Sequence, residues 1–163
     1  MDYSKTNGEN IKMKIKKSIL IVIILLLKAI TITSQNKLDE KLLINNFVKS
    51  VFFENADAKS IAGQYIYFEP ISNVKYSLAD RIKILNKHLK KIKKENSLLN
   101  PADFYIVRYE DYKNDKIIFS KKTNSIFILV SKSNPVMYFS LLKEKIFAFD
   151  YIIKGGEVLF ITY

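Results

Sequence analysis

The 163-residue chain has no cysteine and a single histidine, His88. Without cysteine there is no disulfide scaffold, no thiol nucleophile, no lipid-bearing N-terminal cysteine and no thiolate metal site. One histidine excludes a multi-histidine metal site within one chain. Glycine is scarce, with four residues. The adjacent pair Gly155-Gly156 has no strand–glycine loop–helix setting, so it reads as a turn and not as a phosphate cradle. No GxSxG, HExxH or Walker-type spacing occurs. On these grounds no cofactor, no metal and no assigned catalytic residue are expected.

What is present is ample material for a core. Hydrophobic residues make up 48% of the chain and charged ones 26%, which fits one packed domain of ordinary size and argues against global disorder. The formal charge of +11 is unevenly spread. Residues 1–34 carry six basic and two acidic side chains, leaving 21 of the 27 basic and 14 of the 16 acidic for residues 35–163. Isoleucine, lysine and asparagine are all frequent, and AT-rich coding raises lysine without selection for an anionic partner.

The stretch KKSILIVIILLLK (16–28) is the clearest signal. Met13 to Lys17 form a positive n-region, and Ser18 to Leu27 form an apolar run of the length of a signal-peptide core, short of a membrane span. AITITSQ follows, so cleavage after Ser34 leaves Gln35 as the new N-terminus. The polar MDYSKTNGENIK upstream points to translation starting at Met13, with Met1 the other candidate. The chain thus divides into an N-terminal extension with signal peptide (1–34) and a single domain (35–163). The alternative is an uncleaved anchor from Ile15 to Ile32, which must accommodate Lys28. Export to the periplasm or outer surface of a bacterium is the expected localisation, with membrane association only if the segment is kept.

Beyond residue 35 the periodicity changes once. LDEKLLINNFVKSVF (38–52) repeats Leu43, Phe47 and Val51 at helical spacing. ADAKSIAG (56–63) reads as a short helix ended by Gly63, and QYIYFEP as a strand closed by Pro70. In 77–96, Leu78, Ile82, Leu85, Leu89 and Ile92 line one helical face, and Ser77 with Asp80 has capping-box spacing. From 103 onward FYIVRYEDY, KIIFS, SIFILVS, VMYFSLL, KIFAFDYII and EVLFITY read as strands. Turn signals at Asn114-Asp115, 122–124, 133–135, Lys143-Glu144 and Gly155-Gly156 leave room for hairpins but not crossover helices. The expected fold is α+β: helices packed on a curved antiparallel meander.

Three helices, a small strand before the third and a closing meander resemble the nuclear-transport-factor-two-like group of cone-shaped α+β folds, over about 38–163. NFVKSVFFENADAKSIAGQYI and YFSLLKEKIFAFDYIIKGGEVLFITY carry the likeness. The group usually shows a hairpin where only YIYFE lies here. The resemblance implies an apolar cavity under the helices and no particular reaction.

The expected role is that of an exported binding or interaction domain. Its partner is a second copy, paired through the outer sheet face, an exported protein, or a small apolar ligand in the cavity. The alternative is an isomerase- or hydratase-like enzyme with Asp150, the one acid in a strongly apolar strand, as base. Tyr105, Tyr109 or Tyr138 would then be the proton donor. His88 flanks the apolar face of the third helix and reads as a boundary histidine. The run KHLKKIKK has cations but no aromatics for stacking bases, so nucleic acid is not an expected partner. A solvated helix face, or attraction to anionic headgroups or glycans, fits it better.

Overall fold

The element order follows from where apolar residues recur and what stops each run. The computed structural model describes residues 39–70, 76–121 and 125–163. The expected leader and its cleavage point lie outside them. Helix α1 spans 39–52. Its buried stripe is Ile44, Phe47, Val48 and Val51, while Leu42 is exposed. Asn55 adopts a left-handed φ of 54°, and the Ala56 N–H reaches back to the Ser50 carbonyl at 2.9 Å, so a left-handed residue turns the chain out of the helix. Helix α2, Ala58–Tyr65, opens on Asp57, whose carboxylate accepts from the Lys59 and Ser60 amides.

Gly63 does not end α2, contrary to its expected role. The helix runs on to Tyr65 and is closed by extended Ile66. Lys145 Nζ, from a distant strand, donates to the Gly63 and Gln64 carbonyls. A cation supplies at that terminus what a C-terminal glycine would otherwise arrange.

Helix α3, Leu78–Glu95, has the full capping box: Asp80 N–H to Ser77 Oγ, and Ser77 N–H to Asp80 Oδ2. Leu85, Leu89 and Ile92 form its buried face.

Six strands follow among the described residues: β1 Phe104–Arg108, β2 Ile126–Ser131, β3 Asn134–Leu142, β4 Lys145–Ala148, β5 Tyr151–Lys154 and β6 Glu157–Phe160. β1 to β4 pair in chain order as an antiparallel sheet, and β5 with β6 forms a separate hairpin. The α+β class and the antiparallel meander are as the sequence indicates. Three local expectations are corrected. YIYFE is reduced to a single bridge, Ile66 with Ile146. KIIFS joins no strand ladder and instead runs beside β6, with the Ser120 N–H on the Val158 carbonyl at 3.1 Å. KIFAFDYII breaks after Ala148, so β4 and β5 belong to different sheets.

Side-chain alternation distributes the core. Phe127, Leu129, Met137, Phe139, Leu141 and Ile146 face the buried stripes of the three helices. Ile128, Val130 and Tyr138 point the other way, and Tyr112 packs on them together with Tyr109, Phe119, Tyr151 and Phe160. Phe119 stacks on Phe160 at 4.0 Å and 5°. The far face is therefore covered by the 109–120 segment and the β5–β6 hairpin. Pro135, which donates no ladder bond, sits where the β2–β3 register shifts.

The hairpin turns are tight. Lys132 and Ser133 (φ 48° and 66°), Lys143 and Glu144 (49° and 58°), and Gly155 and Gly156 (59° and 81°) all occupy the left-handed region, as two-residue turns that match strand twist require. Only the glycine pair does so without steric cost. Replacing Lys132→Asn together with Ser133→Gly should stabilise the domain by about 1 kcal/mol, raising Tm by roughly 2–5 °C. Thermal unfolding followed by circular dichroism measures it, and an unchanged or lower Tm contradicts the account.

Candidate functional site

The one buried charged side chain among the described residues, Asp150, lies where β4 gives way to β5. Phe149 turns inward to pack on Phe47, with ring centroids at 5.1 Å, and stacks on Tyr163 at 5.4 Å. Asp150 is 6% exposed. Both of its carboxylate oxygens lie 3.0 Å from Lys91 Nζ, and Oδ1 also accepts the Tyr151 N–H at 2.9 Å. Lys91 keeps 45% of its side chain exposed, with the apolar stem reaching down to the acid.

One helical turn earlier on α3, His88 Nδ1 meets the Tyr163 hydroxyl at 2.8 Å. Burial lowers the histidine pKa, a tendency that the Asp150 charge opposes. Burial, reinforced by Asp150, raises that of Tyr163 far above the usual phenol range. The phenol thus keeps its proton. A neutral ring that accepts it at Nδ1 carries its own hydrogen on Nε2. Arg81 closes the far end of this layer, donating to the main-chain carbonyls of Glu69 and Tyr163 and lying 5.0 Å over the Phe68 ring.

This grouping differs from the one the sequence offered. Asp150 is near His88, Lys91 and Tyr163. Tyr109 and Tyr138 belong to the opposite face, where the Tyr109 hydroxyl donates to the Ile117 carbonyl at 2.8 Å and the Tyr138 oxygen accepts the Ile117 N–H at 3.0 Å. Tyr105 is 53% exposed on β1. None of the three is a hydrogen-bond partner of Asp150. The sequence reading puts Tyr163 at the end of the strand EVLFITY, but the ladder stops at Phe160. The burial of Tyr163 against His88 and Phe149 is a long-range contact that no local spacing announces. Among the described residues no three acidic or histidine side chains gather to hold a metal ion.

Chemically the cluster holds a satisfied ion pair beside a phenol–imidazole hydrogen bond. The Asp150 carboxylate is committed to an ammonium and an amide, so proton abstraction would first have to displace Lys91. The cluster does tie α3 to the β4–β5 junction. No protein-family model, curated protein or solved structure matches this chain.

The two partners of the pair are unequal. Lys91 can turn to water when Asp150 is lost, whereas Asp150 cannot leave its site when Lys91 is lost. Lys91→Met should therefore destabilise more than Asp150→Asn, by a margin of about 1–2 kcal/mol. Urea unfolding of both variants gives the order, and the reverse order would refute it.

His88 gives a pH dependence of known sign. A folded-state pKa below the ordinary 6.5 means the unfolded chain takes up the proton first. The stabilisation is complete above about pH 6.5 and is lost as pH falls through the folded value. Lys91, raised chiefly by its bond to Asp150, contributes stability present below its ordinary pKa and lost only in strong alkali. It is constant through that window. The loss of Tm between about pH 7.5 and pH 5 should be smaller in His88→Asn than in the wild type, and equal losses would remove His88 from the account.

Proposed function

We propose that this chain is an exported interaction domain that engages a protein partner, a second copy or another exported protein, through the open side of its β5–β6 hairpin. The supporting observation is β5. Among the described residues it pairs on one side only, with β6, and Ile152 and Ile153 are 45% and 71% exposed. Ile161 N–H bonds the Asp150 carbonyl at 2.9 Å, which sets the alternation of the ladder: Ile152 and Lys154 turn their peptide groups to β6, and Ile153 turns its own outward. An edge with a free N–H and C=O between apolar side chains adds an extended segment from another chain readily.

A ligand-filled cone receives less support. Phe47, Phe127, Phe139 and Phe149 are fully buried on the helix side of the sheet, and an apolar ligand there would have to displace a ring. The isomerase reading must contend with the Lys91 pairing of Asp150. Export rests on the n-region and apolar run of residues 13–34, with the membrane-anchored form as its alternative.

Two measurements test the reading. The mass of the chain recovered from expressing cells should start at Gln35; an intact N-terminus recovered only with membrane would replace export by anchoring. Sedimentation and photo-crosslinking from position 153 should show a dimer or one specific exported partner. Either should be lost in the double variant Ile152→Lys, Ile153→Lys at unchanged Tm. A strictly monomeric chain at high concentration that crosslinks to nothing would end the proposal.

A further inference from the structure

Helix α3 carries seven cations between Arg81 and Lys94 and no acidic side chain in that stretch. Three of the seven have work inside the fold: Arg81 on the Tyr163 carbonyl, Lys91 on Asp150, and Lys93 on Asn55. The other four, Lys83, Lys87, Lys90 and Lys94, are all exposed. Among the described residues the ion pairs are Lys91–Asp150 and Arg108–Glu40, so none of the four lies in one. Lys83 lies close enough to Asp80 to stabilise that charge, and the Asp80 carboxylate is already bonded to Ser77.

Their spacing, four, three and four residues, places them within an arc of about 60°, opposite the buried Leu85, Leu89 and Ile92. The row is straight and roughly 16 Å long. Like charges one helical turn apart oppose the helix they stand on. Such a row presents a strip of positive charge that a surface of the opposite sign would relieve.

We propose that this row is a docking surface for an anionic lipid bilayer. A straight row of ammonium groups on one side of a rigid helix fits a plane of headgroup phosphates. The row contains no aromatic side chain on which unstacked bases could rest. Leu98, in the turn directly after α3, is 89% exposed, and a bilayer can take up such a side chain where a dissolved polyanion cannot. The attraction does not depend on the β5 edge having a partner.

The full chain in vesicle flotation tests the proposal, because the leader's own affinity is common to all variants. Vesicles of phosphatidylcholine containing phosphatidylglycerol are compared with phosphatidylcholine alone. In one variant Lys83, Lys87, Lys90 and Lys94 are all changed to Gln. A control changes four exposed lysines elsewhere, Lys59, Lys113, Lys132 and Lys154, to Gln, with the same loss of net charge. Each lysine held near an anionic surface contributes about fivefold.

The row variant should therefore lose more than about tenfold of the phosphatidylglycerol-dependent affinity. The control should lose less than about threefold, and high salt should abolish the difference. Equal losses in the two variants, or no loss in the row variant, would overturn the proposal. So would tighter binding to a single-stranded oligonucleotide than to the anionic vesicles, with the row required for it, since that would reassign the surface to nucleic acid.

Discussion

Strand β2 is buried at every position from Ile126 to Val130, and the architecture depends on satisfying both of its faces. A strand sends alternate side chains to opposite sides, so five consecutive buried apolar residues demand cover on each. Fully burying each such side chain contributes about 1.5–3 kcal/mol, and helices on one side can secure only part of that. Phe127 and Leu129 meet the helices, while Ile128 and Val130 meet the aromatic layer of Tyr112, Tyr138, Phe119 and Phe160. The chain after β4 therefore has to leave the sheet, pass its edge and lie over the far face.

That crossing takes two residues. Phe149 belongs to the helix-side core and Tyr151 to the far-side layer, with Asp150 between them. At such a crossing the strand ladder is interrupted, and its peptide groups need partners from elsewhere. The Asp150 side chain accepts the Tyr151 amide, and its carbonyl accepts the Ile161 N–H. A carboxylate can do the first of these jobs, but buried alone it would be costly. Lys91 makes it tolerable, and the pair fixes α3 to the junction. Asp150 is thereby explained as a structural device at a place where the sequence pattern invited a catalytic one.

The legibility of each feature tracks how local its cause is. The capping box of α3 is set by two residues three apart, and both Ser77 and Asp80 do what their spacing says. The glycine turn between β5 and β6 was equally plain, since two adjacent glycines tolerate left-handed φ at no cost. The Lys132-Ser133 turn was less plain, since only Ser133 lay within the expected 133–135 signal. Its backbone is forced by the strands it joins, and the visible turn residues Asn134 and Pro135 were drawn into β3. Lys91 and Asp150 stand 59 positions apart, and His88 and Tyr163 75 apart, so nothing in a single sequence joins them. Alternation through KIFAFDYII looked unbroken because apolar residues occupy both parities; the break shows only when the far face needs covering.

Net charge illustrates the same limit from the other side. The basic character of α3 looked like one property of one helix, to be explained once. In the fold it separates by angle around the helix axis. Arg81, Lys91 and Lys93 reach inward or sideways to carbonyls, a carboxylate and an amide, and their charge is consumed by the fold. Lys83, Lys87, Lys90 and Lys94 stand together on the outer side, and none of them lies in an ion pair among the described residues. Counting cations along the chain mixes these populations, whereas the helical repeat, with Leu85, Leu89 and Ile92 as its origin, sorts them. What the helix offers a partner is the residue of that subtraction: four ammonium groups in line, on a rigid support anchored to the core by the face directly behind them.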